Sequence, residues 1–104
     1  MICMEKQKRL IGLARRAGAV SYGYEGATEA IKKRKASLII FASDISERTK
    51  KDILNITDNI PVLELDITKE ELGRMIGTKP TGILSVNDKN FKKGILEVVQ
   101  IDGN

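Results

Sequence analysis

The apolar run Ser37-Leu38-Ile39-Ile40-Phe41-Ala42 constrains the fold more than any other part of this sequence. It is too short for a buried helix. Near-continuous apolarity over so few residues marks a central strand covered on both faces. A chain with such a strand must supply a layer above it and a layer below it.

The flanking segments read as that supply. A first helix is expected from about Met4 to Ala17, with Leu10, Leu13, Ala14 and Ala17 at helical spacing and Ile11 widening the stripe. On this helix Lys8 falls with Arg15, and Arg9 with Arg16, away from the stripe. Gly18 suits a left-handed terminator, and Ala19–Tyr22 is a short extended segment ended by Gly23. A second helix starts near Tyr24 or Glu25 and ends near Lys35, burying Ala27, Ala30 and Ile31. Its cluster Lys32-Lys33-Arg34-Lys35 lies where cations interact favourably with the helix dipole. After the apolar strand, Ser46 with Glu47 and Thr49 opens a third helix carrying Ile53, Leu54 and Ile56, which runs out at residues 57–59. Pro61–Leu65 is a strand. Thr68 caps a fourth helix to Gly77, with Leu72, Met75 and Ile76 inward. Residues 78–81 form a loop, and Gly82–Val86 a fourth strand. Asp88 or Asn87 caps a last helix, Lys89 to about Glu97, with Phe91 and Ile95 inward. The polar-ended tail Val98–Asn104 reads as a short strand or an ordered turn. This alternation predicts an α/β fold: a three-layer α-β-α sandwich around a four-stranded mixed sheet, one domain over residues 1–104.

Composition narrows function by exclusion. With no His and one Cys in 104 residues, the usual zinc sites and His-activated nucleophiles are not available. The lone Cys3 cannot form an internal disulfide, which suits a reducing cytoplasm. No apolar run approaches the roughly 20 residues of a membrane span, and the opening residues lack a signal core. The glycine-containing turns match neither a P-loop nor a dinucleotide fingerprint. A carboxylate enzyme built on Glu25 with Asp44 has nothing further to favour it, so neither catalysis nor a cofactor is expected. Charge is unevenly spread. Residues 1–35 carry a net +6 and the remainder −2, which fits a one-sided field facing a polyanion. The same charges also read as solvated helix faces.

The ordered set Leu10–Gly18, Gly23, Ala36–Asp44, Pro61-Val62 and Leu72–Gly77 resembles the kink-turn-binding ribosomal proteins. These are the "seven-Ae" and "thirty-e" large-subunit proteins, with small bacterial ribosome-associated relatives. The resemblance covers about residues 8–97, and Asp44–Thr49 is most similar to the bacterial branch. It implies a non-catalytic RNA-binding protein, cytoplasmic and monomeric, whose partner is structured ribosomal or messenger RNA, with the ribosome a candidate location and no membrane. The family's RNA site has three parts: the glycine with the following helix start, the loop after the second strand, and the loop before the fourth strand. Carried onto this chain, these are Gly23, Tyr24, Glu25, Gly26 and Thr28; Ser43 and Asp44; and Thr78, Lys79, Pro80 and Thr81. Basic side chains of the first helix and of the second, Lys32 and Lys33 among them, would hold flanking phosphates.

The chain departs from the family at the base-reading motif Gly-x-Asn-Glu-x-x-Lys. From Gly23, it has Glu25 for Asn, Gly26 for Glu and Glu29 for Lys. A register starting at Gly26 restores Glu29 and Lys32 but shifts the helix by three residues against both Gly18 and Ala36. Glu25 and Glu29 also suit the first turns of a helix, and Tyr24 suits either stacking on a base or covering the helix start. A protein-interaction module on the same fold, with RNA affinity lost, is the alternative.

Overall fold

The central apolar run becomes a strand whose side chains divide between two cores. In the computed structural model, which describes residues 4–103, the elements in chain order are α1 (Met4–Arg16), β1 (Val20–Tyr22), α2 (Gly23–Lys32), β2 (Leu38–Phe41), α3 (Glu47–Thr57), β3 (Val62–Glu64), α4 (Lys69–Ile76), β4 (Ile83–Val86) and α5 (Lys89–Gly103). Met1–Cys3, including the lone cysteine, and Asn104 lie outside the described residues. The strands form one mixed sheet in the order β1-β4-β2-β3. β2 runs antiparallel to β4, with Ile40 opposite Leu84, and parallel to β3, with Ile40 opposite Leu63. β1 closes the other edge, antiparallel to β4.

All four β2 residues are buried, as expected of a strand covered on both faces. Leu38 and Ile40 pack with Ile11 of α1, Leu72 and Ile76 of α4, and Ile95 of α5. Ile39 and Phe41 pack with Ala27 and Ile31 of α2 and Ile53 of α3. The strand's two-residue period thus serves α1, α4 and α5 on one face and α2 and α3 on the other. Each such large side chain contributes about 1.5–3 kcal/mol by leaving water. The architecture is the expected α-β-α sandwich. No helix among the described residues is long and apolar enough to cross a membrane.

Helix ends follow local chemistry. Gly18 adopts φ +72° beyond α1. Ser46 Oγ accepts the Thr49 N–H (3.2 Å), and Thr68 Oγ1 accepts that of Glu71 (3.1 Å). Asp88, not Asn87, caps α5, accepting from the N–H groups of Asn90 and Phe91. Asn87 instead links Ser85 to Ser21 across the β1–β4 edge.

Four expectations are corrected. α2 stops at Lys32, three residues early, because the chain turns through Arg34 (φ +59°) and the Lys35 N–H bonds back to Ala30 O. The tail is helical, since α5 continues to Gly103. On α1 the inward residues are Gln7, Ile11 and Ala14, while Leu13 is 44% exposed. On α3 only Ile53 and Thr57 are buried, leaving Leu54 and Ile56 outside, because this helix meets its neighbours along one narrow stripe.

Candidate nucleic-acid interface

The start of α2 is set by a backbone requirement. Gly23 has φ +78°, and a Cβ there would meet nothing within 4 Å, so the left-handed conformation rather than space calls for glycine. Tyr22 precedes the helix in extended conformation and offers no side-chain acceptor. Helices leave their first amides without internal partners. Here the Gly23 N–H is taken by Thr81 Oγ1 (3.1 Å), while no side chain among the described residues accepts from the first-turn N–H groups of Tyr24 and Glu25. A helix start of this kind, at a positive dipole end, suits an anionic or carbonyl-like acceptor.

Thr81 locks the last loop against this helix start. It is buried, its hydroxyl donates to Ile83 O (3.1 Å), and its N–H donates to Lys69 O (3.0 Å). The loop reaches Thr81 by crossing α4 at Gly73. A Cβ on Gly73 would lie 2.2 Å from Lys79 O and 2.7 Å from Lys79 C. Gly73 therefore lets backbone pass over backbone.

Between these elements lies a cleft of about 530 Å³, lined by Tyr22, residues 23–26 and the loop 78–81. An adjoining depression of about 260 Å³ joins Gly23 and Tyr24 to Ile45, Ser46, Thr49 and Lys69. All three chain segments converge here, but the one after β2 does so through Ile45, Ser46 and Thr49. The Ser43 and Asp44 side chains turn elsewhere: Ser43 Oγ donates to Ile67 O (3.0 Å), and Asp44 Oδ1 accepts the Lys69 N–H (2.8 Å). Their role is to pin the start of α4.

Other predicted residues divide similarly. Tyr24, half exposed, and Glu25 and Lys79, both exposed, face the cleft. Gly26 packs in ordinary contact with Ser21, and the Thr28 hydroxyl donates within the helix to Tyr24 O (2.6 Å). Lys32 and Lys33 lie at the far end of α2, about 14 Å from Gly23 at 1.5 Å per residue. Lys33 pairs with Glu29 (2.8 Å). That hydrogen bond, then the charge of Lys33 itself, holds the Glu29 carboxyl below its usual range. Sequence reasoning missed Ile45, Ser46, Thr49, Lys69 and Gly73. Ser46 was legible as a cap, but the proximity of the others depends on the β3–α4 connection folding back on β2.

Comparisons with known proteins agree with this geometry. The ribosomal protein L7Ae/L30e/S12e/Gadd45 family matches residues 5–96. The chain is 35% identical over 98 residues to the RNA-binding protein YlxQ of Enterococcus faecium, covering 92% of this chain and 93% of that protein. It is 29% identical over 94 residues to the RNA-binding protein YlxQ of Bacillus subtilis (strain 168), covering 86% and 91%. A protein of unknown function from Bacillus halodurans C superposes with TM-score 0.84 at 30% identity, over 91% of this chain and 97% of that one. The 15.5kD RNA binding protein of Giardia lamblia shares the fold, with TM-score 0.73 at 19% identity, over 93% and 84%. With the three-layer sandwich, the glycine-initiated α2 and a family match over residues 5–96, the chain belongs to the ribosomal protein L7Ae/L30e/S12e/Gadd45 family, on its bacterial branch.

Proposed function

We propose that this protein binds structured RNA at the cleft between the start of α2 and the loop 78–81, and that its target is sharply bent, as in a kink-turn. The observation that carries this reading is the glycine-initiated start of α2, with no side-chain cap, lining that cleft through residues 23–26. The two relatives named as RNA-binding YlxQ proteins support RNA as the ligand class.

Each residue has a defined task. The amides and the dipole engage phosphate or base acceptors exposed by the bend. Tyr24 stacks on an unstacked base, a contact worth about 1–3 kcal/mol. Glu25 accepts from a cytosine or guanine amino group. Lys79 holds backbone at the cleft, and Lys32 and Lys33 hold it further along α2. Specificity comes from shape and splayed bases, because an A-form major groove is too narrow to read. Residues 1–104 act as one RNA-binding domain, a cytoplasmic monomer, with the ribosome as its place of action.

Fluorescence-anisotropy titrations with kink-turn RNA, straight duplex and single strand test this. Tighter binding of the kink-turn supports the reading, and equal affinity for all three refutes it. The second reading, a protein-interaction module, draws on exposed Leu54 and Ile56, which neither core uses. Absence of RNA binding in the same titrations would favour it.

A further inference from the structure

We propose that the cleft between α1 and α4 is a second RNA contact, taking the phosphate backbone of a helical stem that leaves the first site; as a stem contact it rests on the RNA reading above. This cleft, about 480 Å³, is lined by Lys8, Arg9, Arg15, Arg16 and Arg74 over a floor that includes Leu13. The cations are distributed rather than convergent. Lys8 and Arg15, like Arg9 and Arg16, are seven residues apart, so each pair spans about 10 Å of helix. A row of that length suits successive phosphates of a polymer better than one small anion.

Internal structure accounts for only part of this charge. Glu71 lies 3.7 Å from Lys8, and Glu70 is 3.0 Å from Arg74. Arg15 Nε donates to Ile76 O (3.2 Å), satisfying a carbonyl at the end of α4. Arg9 and Arg16 have no ion-pair partner among the described residues, and both are exposed. Arg9 is also nearly two turns from the end of α1, beyond the reach of the helix dipole. Leu13, exposed between these two arginines at i+4 and i−3, belongs to neither core and offers an apolar surface to a ribose face.

The cleft adjoins the first site at two points. The Arg15 guanidinium lies 5.5 Å from the centre of the Tyr22 ring, and Tyr22 lines the other cleft. Gly77 of this cleft is followed directly by Thr78 of the other. A strand leaving the bend beside Tyr22 therefore meets the α1 cations next.

The experiment compares parent, Arg9→Gln/Arg16→Gln and Arg48→Gln/Lys51→Gln, the last removing two exposed cations from α3 on the opposite face of the sheet. All four side chains are exposed, so the variants are expected to melt with the parent. Affinity is measured across salt concentrations for a kink-turn RNA trimmed to the bend and for one with its stems extended by a full turn. On the extended RNA, Arg9→Gln/Arg16→Gln should make the slope of log affinity against log salt shallower by about two, one per lost phosphate contact. On the trimmed RNA it should match the parent. An unchanged slope on the extended RNA overturns the proposal, as does equal loss on both RNAs or from the α3 pair. If the parent shows no preference for bent RNA, the reading of the α2 cleft fails separately. The α1–α4 cleft is then judged on straight duplex, where a slope shallower by about two supports it and an unchanged slope overturns it.

Discussion

Gly73→Ala places the account under direct strain, because two physical effects of opposite sign compete at that residue. Gly73 lies inside α4, where alanine is favoured over glycine by about 1 kcal/mol through reduced backbone entropy. The added methyl, however, would sit 2.2 Å from Lys79 O, 2.7 Å from Lys79 C and 3.0 Å from Pro80 Cα. These are backbone atoms and cannot step aside by changing rotamer. Reaching the short limit of ordinary contact, 3.4 Å, requires the loop to retreat by about 1.2 Å. Overpacking of this kind costs about 1–3 kcal/mol. The net expectation is a loss of up to about 2 kcal/mol, at most roughly 8–16 °C in Tm for a domain of this size, and a deficit of about 1–3 kcal/mol against a glycine-to-alanine change that meets no clash. The retreat also strains the 3.1 Å bond from the Gly23 N–H to Thr81 Oγ1, so RNA affinity should fall in the same variant. Gly94→Ala is the control, since its nearest contact, Leu10 Cδ1 at 3.5 Å, is ordinary. It should be neutral or stabilising by up to about 1 kcal/mol. Urea titration and anisotropy on both variants provide the assay. A Gly73→Ala protein as stable as Gly94→Ala, with parental RNA binding, would refute the close crossing of loop over helix.

Further expectations follow from the same contacts. Thr81→Val leaves the Gly23 N–H without its acceptor and should cost about 1–3 kcal/mol in urea unfolding, with weaker RNA binding. Gly23→Ala forces a Cβ into φ +78° and should cost about 1–2 kcal/mol, with Gly23→Asn less harmful, both read by thermal melts. Lys32→Glu with Lys33→Glu should weaken RNA binding and flatten its salt dependence, and slopes equal to the parent's would remove that end of α2 from the interface. Glu29 has a depressed pKa in the folded state, so its pairing with Lys33 stabilises above the ordinary carboxylate value and fades as pH falls through the folded value. Glu29→Gln should therefore be less stable than the parent at neutral pH, and the two melting curves should converge in acid.

Legibility in the sequence followed how local each cause was. The run Leu38–Phe41, the caps at Ser46 and Thr68 and the turn at Gly18 depend on neighbouring residues alone, and the structure contains each of them. Faces of helices were harder. Leu13 and Leu54 match helical spacing as well as Ile11 and Ile53 do, and only the position of adjoining elements decides which side is covered. The end of α2 was misread because Lys33–Lys35 favour a helix locally, while the chain must turn to enter β2. At the candidate site, Gly23 and loop 78–81 were visible as backbone signals. The approach of Ser46, Thr49 and Lys69, and the crossing at Gly73, arise from contacts distant in sequence.

The most direct measurement is an NMR titration of the labelled protein with kink-turn RNA, following backbone amides. The account predicts the largest changes at Tyr24 and Glu25, with accompanying changes at Ser46, Thr49 and residues 79–81. Perturbations confined to the exposed α3 face around Leu54 and Ile56, with the Tyr24 and Glu25 amides unmoved at saturation, would contradict it.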